Sequence, residues 1–402
     1  MTPYLLLATC VAAFGILLCE RHPCRRNDAI FLTLTSVVLI VMSTIRASAV
    51  GVDYWQSYLP YFEQVCSGGW EFITGDANIF KTEFGYCFLN YIISFFGSTQ
   101  MTFAFGIALV CIGLTAVFLW KYSPSVWMSM FVFISFGFFG YTLCTLRHQI
   151  AICIFMFALP YLQKKKLVPY VLIVLLSATF HKSMLVLIPV YFLAQLPLNK
   201  ISLSIYGVGT LLFVLFSEPI IAFVTKYVYT DYQVGTYYTM GRDLQTGFVP
   251  ILLFLVVYLL RGKLLERNPQ NLPLINLSLY SAMLFIVTYR NFIFQRFALI
   301  LLPVSILLLP EIMQCLAVKE DDRLELELAS KALKSGTGDK KRALQKYGEI
   351  KARLHDTRAM YFAAIGFMIF GGLFYYLFLL AANRLLLVPY ATIFSGVVPP
   401  VL

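Results

Sequence analysis

Twelve apolar runs dominate the chain, at residues 3–19, 29–45, 99–119, 125–143, 147–163, 167–180, 183–197, 201–217, 248–260, 272–288, 292–310 and 359–380. A helix needs about 20 apolar residues to cross the ~30 Å hydrocarbon core of a bilayer. Inside lipid the backbone must satisfy its own N–H and C=O groups, so a succession of such runs folds as a bundle of helices. The expected class is therefore all-α: a polytopic integral membrane protein with about 12 transmembrane helices. Composition agrees, since 60% of the 402 residues are hydrophobic and only 13% are charged, about half the ~25% of a soluble domain. A soluble enzyme, a disordered chain and a nucleic-acid binder are excluded, and membrane lipids become obligatory neighbours. The first run reads as a membrane helix and not as a cleavable signal peptide, because its basic cluster (Arg21, Arg25, Arg26) follows the apolar stretch.

Charge then orients the helices. Lys and Arg number 31 against 20 Asp and Glu, a net charge of +11, and cytoplasmic loops collect Lys and Arg. The Arg21–Arg26 cluster puts the 20–28 loop inside. Alternation from there brings Lys121, Lys164–Lys166, Lys200, Arg261, Lys263, Arg267 and the whole 311–358 segment to the same side, 22 of the 31 cations. This parity requires residues 83–97 to form an interfacial or re-entrant helix. Residues 167–180 and 183–197 fit either a partial hairpin or two crossings. The chain thus reads as one transmembrane domain, 1–402, with two additions. Residues 46–98 form an extracytoplasmic segment rich in Tyr, Trp and acids. Residues 311–358 form a charged cytoplasmic insert of one or two amphipathic helices, broken at Ser335-Gly336-Thr337-Gly338. That break lacks the spacing of a phosphate-binding loop and reads as a turn. The nine Cys show no CxxC and no metal-type clustering; most are small apolar fillers. Cys66 and Cys87 are the one outside pair that an oxidising exterior could join.

The cations on the outer side are the informative ones: Arg46, Lys81, Arg147, Lys182, Lys226, Arg242, Arg290, Arg296 and Arg384. Arg46 closes the second run, Arg147 opens Leu146-Arg147-His148-Gln149, and Arg290 and Arg296 flank one helical turn. Arginine near hydrocarbon costs about 2.5–3.5 kcal/mol on insertion scales. Acidic partners, snorkelling to lipid phosphates, or a bound anion would each compensate. The planar guanidinium binds two oxygens at once and keeps its charge when desolvated, so this set fits a lipid-linked phosphate or pyrophosphate. His181, in Phe180-His181-Lys182-Ser183, has two readings: a hydrogen-bonded packing residue, or a phosphate ligand or acid/base group. His148 is equally readable as rim packing. Asp53 lies seven residues after Arg46, and Glu83 stands where the interfacial helix begins. These acids either neutralise Arg46 and Arg147 or, set among aromatic rings, accept hydrogen bonds from sugar hydroxyls. No outside Asp-x-Asp occurs, and neither a metal nor a cofactor is expected.

In order along the chain stand Arg46, then Gly51-Val52-Asp53-Tyr54 with Tyr58, then Glu83-Phe84-Gly85-Tyr86, then Leu146-Arg147-His148-Gln149, then Phe180-His181-Lys182-Ser183. This succession resembles the EpsG-type, Wzy-like polysaccharide polymerases, whose pattern is an Arg, a Gly-Thr-Asp-like turn with Tyr, a Glu-x-Gly-Tyr, an Arg-Gln before a helix, and a His-x-Ser. The resemblance covers about residues 1–310; Val52 replaces the usual Thr, and His148 separates Arg147 from Gln149. It implies a GT-C-like membrane glycosyltransferase that joins undecaprenyl-pyrophosphate-linked oligosaccharide repeat units on the outer face of the bacterial inner membrane. Undecaprenyl pyrophosphate would be released without a metal, and a chain-length regulator is admitted as a partner. It further implies Asp53 or Glu83 as general base and His181 as phosphate ligand or acceptor-positioning group. Arg46, Arg147, Arg290 and Arg296 would bind pyrophosphate, with Tyr54, Tyr86 and His148 in the substrate site. Competing expectations are an O-antigen-ligase-like transferase, a transporter or flippase of lipid-linked glycans, and an acyltransferase built around His181.

Overall fold

The computed structural model describes residues 1–220, 222, 246–291, 294–318, 320–335 and 340–396. Lys226, Asp231, Arg242, Asp243, the start of the 292–310 run and most of the Ser335–Gly338 break lie outside the described residues. Helix accounts for 80% of the fold and no strand occurs among the described residues. The first helices are α1 (Thr2–Glu20), α2 (Arg25–Ile45), then α3 (Leu59–Thr74) and α4 (Phe84–Ser94) within the 46–98 segment, and α5 (Gln100–Tyr122). They continue as α6 (Val126–Ser135), α7 (Phe138–Cys144), α8 (Leu146–Met156), α9 (Leu167–Ala178), α10 (Lys182–Leu193) and α11 (Lys200–Leu215). The remainder are α12 (Phe248–Leu259), α13 (Pro269–Val287), α14 (Phe294–Leu316), α15 (Glu320–Ser335) and α16 (Lys340–Ala382).

Six of these helices are long and apolar enough to cross a membrane, or up to eight if each of two bent pairs is one span. The runs at 147–163, 167–180, 183–197 and 201–217 instead form shorter apolar helices, α8 to α11. A 12-residue helix such as α9 rises about 18 Å at ~1.5 Å per residue, short of the ~30 Å core. The expected insert contributes two helices, α15 and the first part of α16, on either side of residues 336–339. Its first residues extend α14 to Leu316, and its second half is continuous with the last apolar run as the 43-residue α16. The reason is local: no proline falls between residues 340 and 382, so nothing halts the helix where its composition changes. Arg353 of α16 holds α15 through Asp322 and Glu325, at 3.3 and 2.5 Å. All nine cysteines are free. The Cys66–Cys87 pairing is not formed, because the Cys87 thiol is buried and donates to the Phe80 carbonyl at 3.2 Å.

The centre of the bundle is α6, every residue of which is buried. A helix that is apolar on all sides is stable only when it is surrounded, and α6 packs on α1, α2, α14 and α16. The two ends of the bundle differ in chemistry. At one end Glu20 accepts from Trp127 Nε1 (3.1 Å) and Tyr361 Oη (2.8 Å), Arg25 donates to the Trp120 carbonyl (3.1 Å), and Arg267 pairs with Glu311 (3.2 Å). These contacts gather the basic loops. At the other end Gln100, at the start of α5, donates to the Arg46 carbonyl at 2.9 Å, and the chain after α16 runs back over residues 45–52.

Candidate functional site

Glu83 organises the first half of the site. It is buried at the start of α4, with 2% of its surface exposed, where a carboxylate also favours the helix N-terminus. Its carboxylate accepts from Arg147 Nη1, is hydrogen-bonded to His181 Nδ1 at 2.9 Å, and accepts from the Lys182 backbone N–H at 3.2 Å. Gly85 allows the approach, since a Cβ there would meet Thr179 Oγ1 at 2.3 Å, while its N–H donates to the Thr179 carbonyl at 2.9 Å. Burial acts to raise the Glu83 pKa, but the His181 hydrogen bond, the Arg147 charge and the Lys182 N–H outweigh it. The carboxyl ends below the ordinary glutamate range. Arg147 opens α8 and lies over the Phe80 ring at 3.9 Å and the Tyr58 ring at 5.7 Å. His148, next in the helix, is buried with its ring centroid 5.2 Å from that of His181.

Asp53 organises the second half. Gly51 has φ +98°, and a Cβ on it would sit 2.4 Å from the Leu143 carbonyl oxygen, so the turn needs glycine for both conformation and space. The N–H groups of Gly51 and Val52 donate to the carbonyls of Leu386 and Leu385, each at 3.1 Å. That pairing delivers Asp53 to the edge of a cavity with no cationic side chain in ion-pair contact among the described residues. Burial pushes its carboxyl above the ordinary aspartate range, while the Arg296 and Arg147 charges pull it back in part.

Both halves face one cavity of about 370 Å³, within the ~300–1,000 Å³ range of small-molecule sites. Asp53, Arg147, His148, His181 and Arg296 line it, together with Tyr58, Phe80, Tyr141, Thr246, Gln295 and Arg384. Among the described residues its wall carries three guanidinium groups and a single carboxylate. Glu83 is not on the wall; it is spent beneath Arg147 and His181. Arg46 is set back as well, 1% exposed, with its guanidinium 4.0 Å over the Tyr54 ring and Nη1 donating to the Ser43 carbonyl at 2.9 Å. Tyr54 also stacks on Phe103 at 5.7 Å, and Tyr86 is buried among Tyr58, Tyr61 and Phe80. Arg290 is half-buried at the end of α13, away from the lining. The sequence reading did not assign Arg384, Gln295 or Thr246 to the site. Arg384 stood among the outer cations, but 88 residues beyond Arg296, with no local pattern tying it to a motif.

The model of the EpsG family matches residues 29–327. The chain belongs to the EpsG family. This is the family of Wzy-like polysaccharide polymerases, and the match spans the cavity-lining residues except those in and after α16, Arg384 among them. No curated protein and no solved structure matches the chain. As a member of this family the chain is a multi-pass membrane protein of the polysaccharide-polymerase, glycosyltransferase type.

Proposed function

We propose that this EpsG-family chain joins undecaprenyl-pyrophosphate-linked oligosaccharide repeat units on the outer face of the bacterial inner membrane, in a GT-C-like fold. The observation that carries the reading is the charge on the cavity wall: among the described residues, three arginines and one carboxylate, with Tyr58, Phe80 and Tyr141 beside them. Such a wall favours an anion joined to a sugar. Its position opposite the basic loops supports an outward face under the positive-inside rule.

Asp53 is the general base. It faces the cavity, holds no arginine in an ion pair among the described residues, and has a raised pKa, which brings it toward the value that favours proton transfer. It takes the proton of the nonreducing-end hydroxyl of one repeat unit as that oxygen attacks the anomeric carbon of the growing chain. The bond from that carbon to the pyrophosphate oxygen breaks, and undecaprenyl pyrophosphate leaves with the electron pair. Arg147 and Arg296 stabilise the charge that develops on the leaving group, the largest contribution expected in such a site, so the arginines do the work a metal ion would otherwise do. His181, oriented by Glu83 through Nδ1, presents Nε2 to phosphate or acceptor. Glu83 is a positioning residue: its three partners leave it no access to a hydroxyl. Tyr58 and Phe80 offer faces for sugar rings. Arg46, Tyr54 and Tyr86 support this wall from behind.

Incubation of the purified protein with a defined undecaprenyl-pyrophosphate repeat unit tests the proposal. The expected result is a product ladder with stoichiometric release of lipid pyrophosphate. A single-transfer product would identify a ligase, and consumption of no donor by any cognate unit would favour a transporter.

A further inference from the structure

The chain after α16 completes the site from outside the region that the family model matches. α16 ends at Ala382, and Asn383 adopts φ +43°, a left-handed conformation that asparagine tolerates. Its side chain then closes the following loop on itself: Nδ2 donates to the Val388 carbonyl at 2.6 Å, and Oδ1 accepts from the Val388 N–H at 2.9 Å. The loop is tied to the Asp53 turn by the Leu385 and Leu386 carbonyls, which accept from Val52 and Gly51. Further along, the Ala391 carbonyl accepts from the Ala47 N–H and the Ile393 N–H donates to the Ile45 carbonyl, both at 2.9 Å. Tyr390 Oη donates to the Met42 carbonyl at 2.7 Å. Arg384 lies between the clamp residue and the first of these backbone contacts. Its backbone is therefore fixed on both sides, and Arg384 lines the same cavity as Asp53, Arg147 and Arg296.

We propose that Arg384 is a further substrate-binding residue, which takes the pyrophosphate of the lipid-linked donor at the mouth of the cavity together with Arg296. The geometry resembles a clamp: Arg147 and Arg296 come from the family region, whereas Arg384 comes from a strap that forms only when the end of the chain folds back on the 45–52 turn. A side chain carried on a fixed backbone costs less to order on binding than one on a mobile loop, and the Asn383 clamp fixes the backbone that carries Arg384. The proposal rests on the donor chemistry given under Proposed function.

The test is binding, not turnover. The full-length protein in phosphatidylcholine nanodiscs is titrated with farnesyl pyrophosphate, and with farnesol as the uncharged control. Arg384→Gln and Arg384→Lys are compared with Arg353→Gln, a control in the contact between α15 and α16. Arg384→Gln is expected to weaken farnesyl pyrophosphate binding about tenfold, as for loss of one charge-assisted contact, with farnesol unchanged. Arg384→Lys recovers part of the loss, and Arg353→Gln binds as the wild type does. Wild-type affinity in both Arg384 variants overturns the assignment and leaves the donor chemistry standing. A wild-type protein that binds farnesyl pyrophosphate no better than farnesol overturns the donor chemistry and this proposal with it. If phosphatidylglycerol added to the nanodiscs abolishes the difference between wild type and Arg384→Gln, Arg384 contacts an annular lipid headgroup, which also overturns the proposal.

Discussion

Glu83→Gln separates the two acids of the site. The amide keeps the shape of the carboxylate and can still accept from the Lys182 N–H. What it loses is the charged pairing with Arg147 and the full strength of the bond to His181. A hydrogen bond to a charged group contributes about 1.5–3 kcal/mol. Arg147 keeps 23% side-chain exposure and a ring face 3.9 Å away, so water and Phe80 recover part of the lost interaction. The expected destabilisation is about 2 kcal/mol, of which about 1 kcal/mol should appear as coupling in a double-mutant cycle with Arg147→Met. The sign of the pH dependence is fixed by the lowered folded-state pKa of Glu83. Its stabilisation is present above the unfolded pKa and is lost as pH falls through the folded value. Melting temperatures of wild type and Glu83→Gln should therefore converge as pH falls below the ordinary glutamate range. In the ladder assay a positioning role predicts that kcat/KM falls about tenfold, the equivalent of ~1.4 kcal/mol, with the acidic limb of the pH profile kept. Loss of that limb, together with a fall of about 10²–10⁴, would refute the reasoning and make Glu83 the base.

Asp53→Asn should lower the ladder rate by about 10²–10⁴, the contribution of a general base, and erase the acidic limb. Because its folded pKa is raised, the ionised carboxylate opposes folding at neutral pH, so the same variant should melt at a higher temperature; a lower melting temperature would contradict the burial argument. Gly85→Ala should destabilise by about 1–3 kcal/mol through overpacking and regain part of that with Thr179→Ala, because the obstructing atom is a side-chain oxygen. Gly51→Ala should resist rescue by any substitution at Leu143, since the atom 2.4 Å from its Cβ is a backbone oxygen; recovery in a Leu143 variant, read by thermal melting, would show that the turn can move.

Helical class and the order of the apolar runs were legible from residue type, because lipid leaves the backbone few alternatives. Which helix is central was not. Residues of α6 are apolar on every side, and so are those of α9 and α12; a sequence shows the same pattern whether the neighbour is lipid or protein. The continuity of α16 across the edge of the expected insert was equally hidden, since helix propensity does not change where charge gives way to apolar residues. At the site, the acid–arginine reading was half realised. Glu83 does pair with Arg147. Arg46 instead sits on the Tyr54 ring and the Ser43 carbonyl, an interaction invisible to a search for opposite charges.

That half realisation explains why the sum of charges on the outer side says little about the cavity. Nine cations and eight acids nearly cancel there by sequence, which suggests a neutral surface. The acids are not distributed like the cations. Glu83 is enclosed by its three partners, Asp76 pairs with Lys81 in the open at 2.9 Å, and Glu63 and Glu71 are exposed on α3. None of these reaches the cavity wall, whereas Arg147, Arg296 and Arg384 all do. Charges beyond about 10 Å are largely screened where water reaches them, and much less where it does not. Among the described residues the cavity wall therefore has its own local balance, with Arg147, Arg296 and Arg384 beside Asp53. Asp53 is thus set among the positive charges that hold the leaving group, with its own pKa raised by burial, an arrangement that suits proton removal at the moment when negative charge moves toward the arginines.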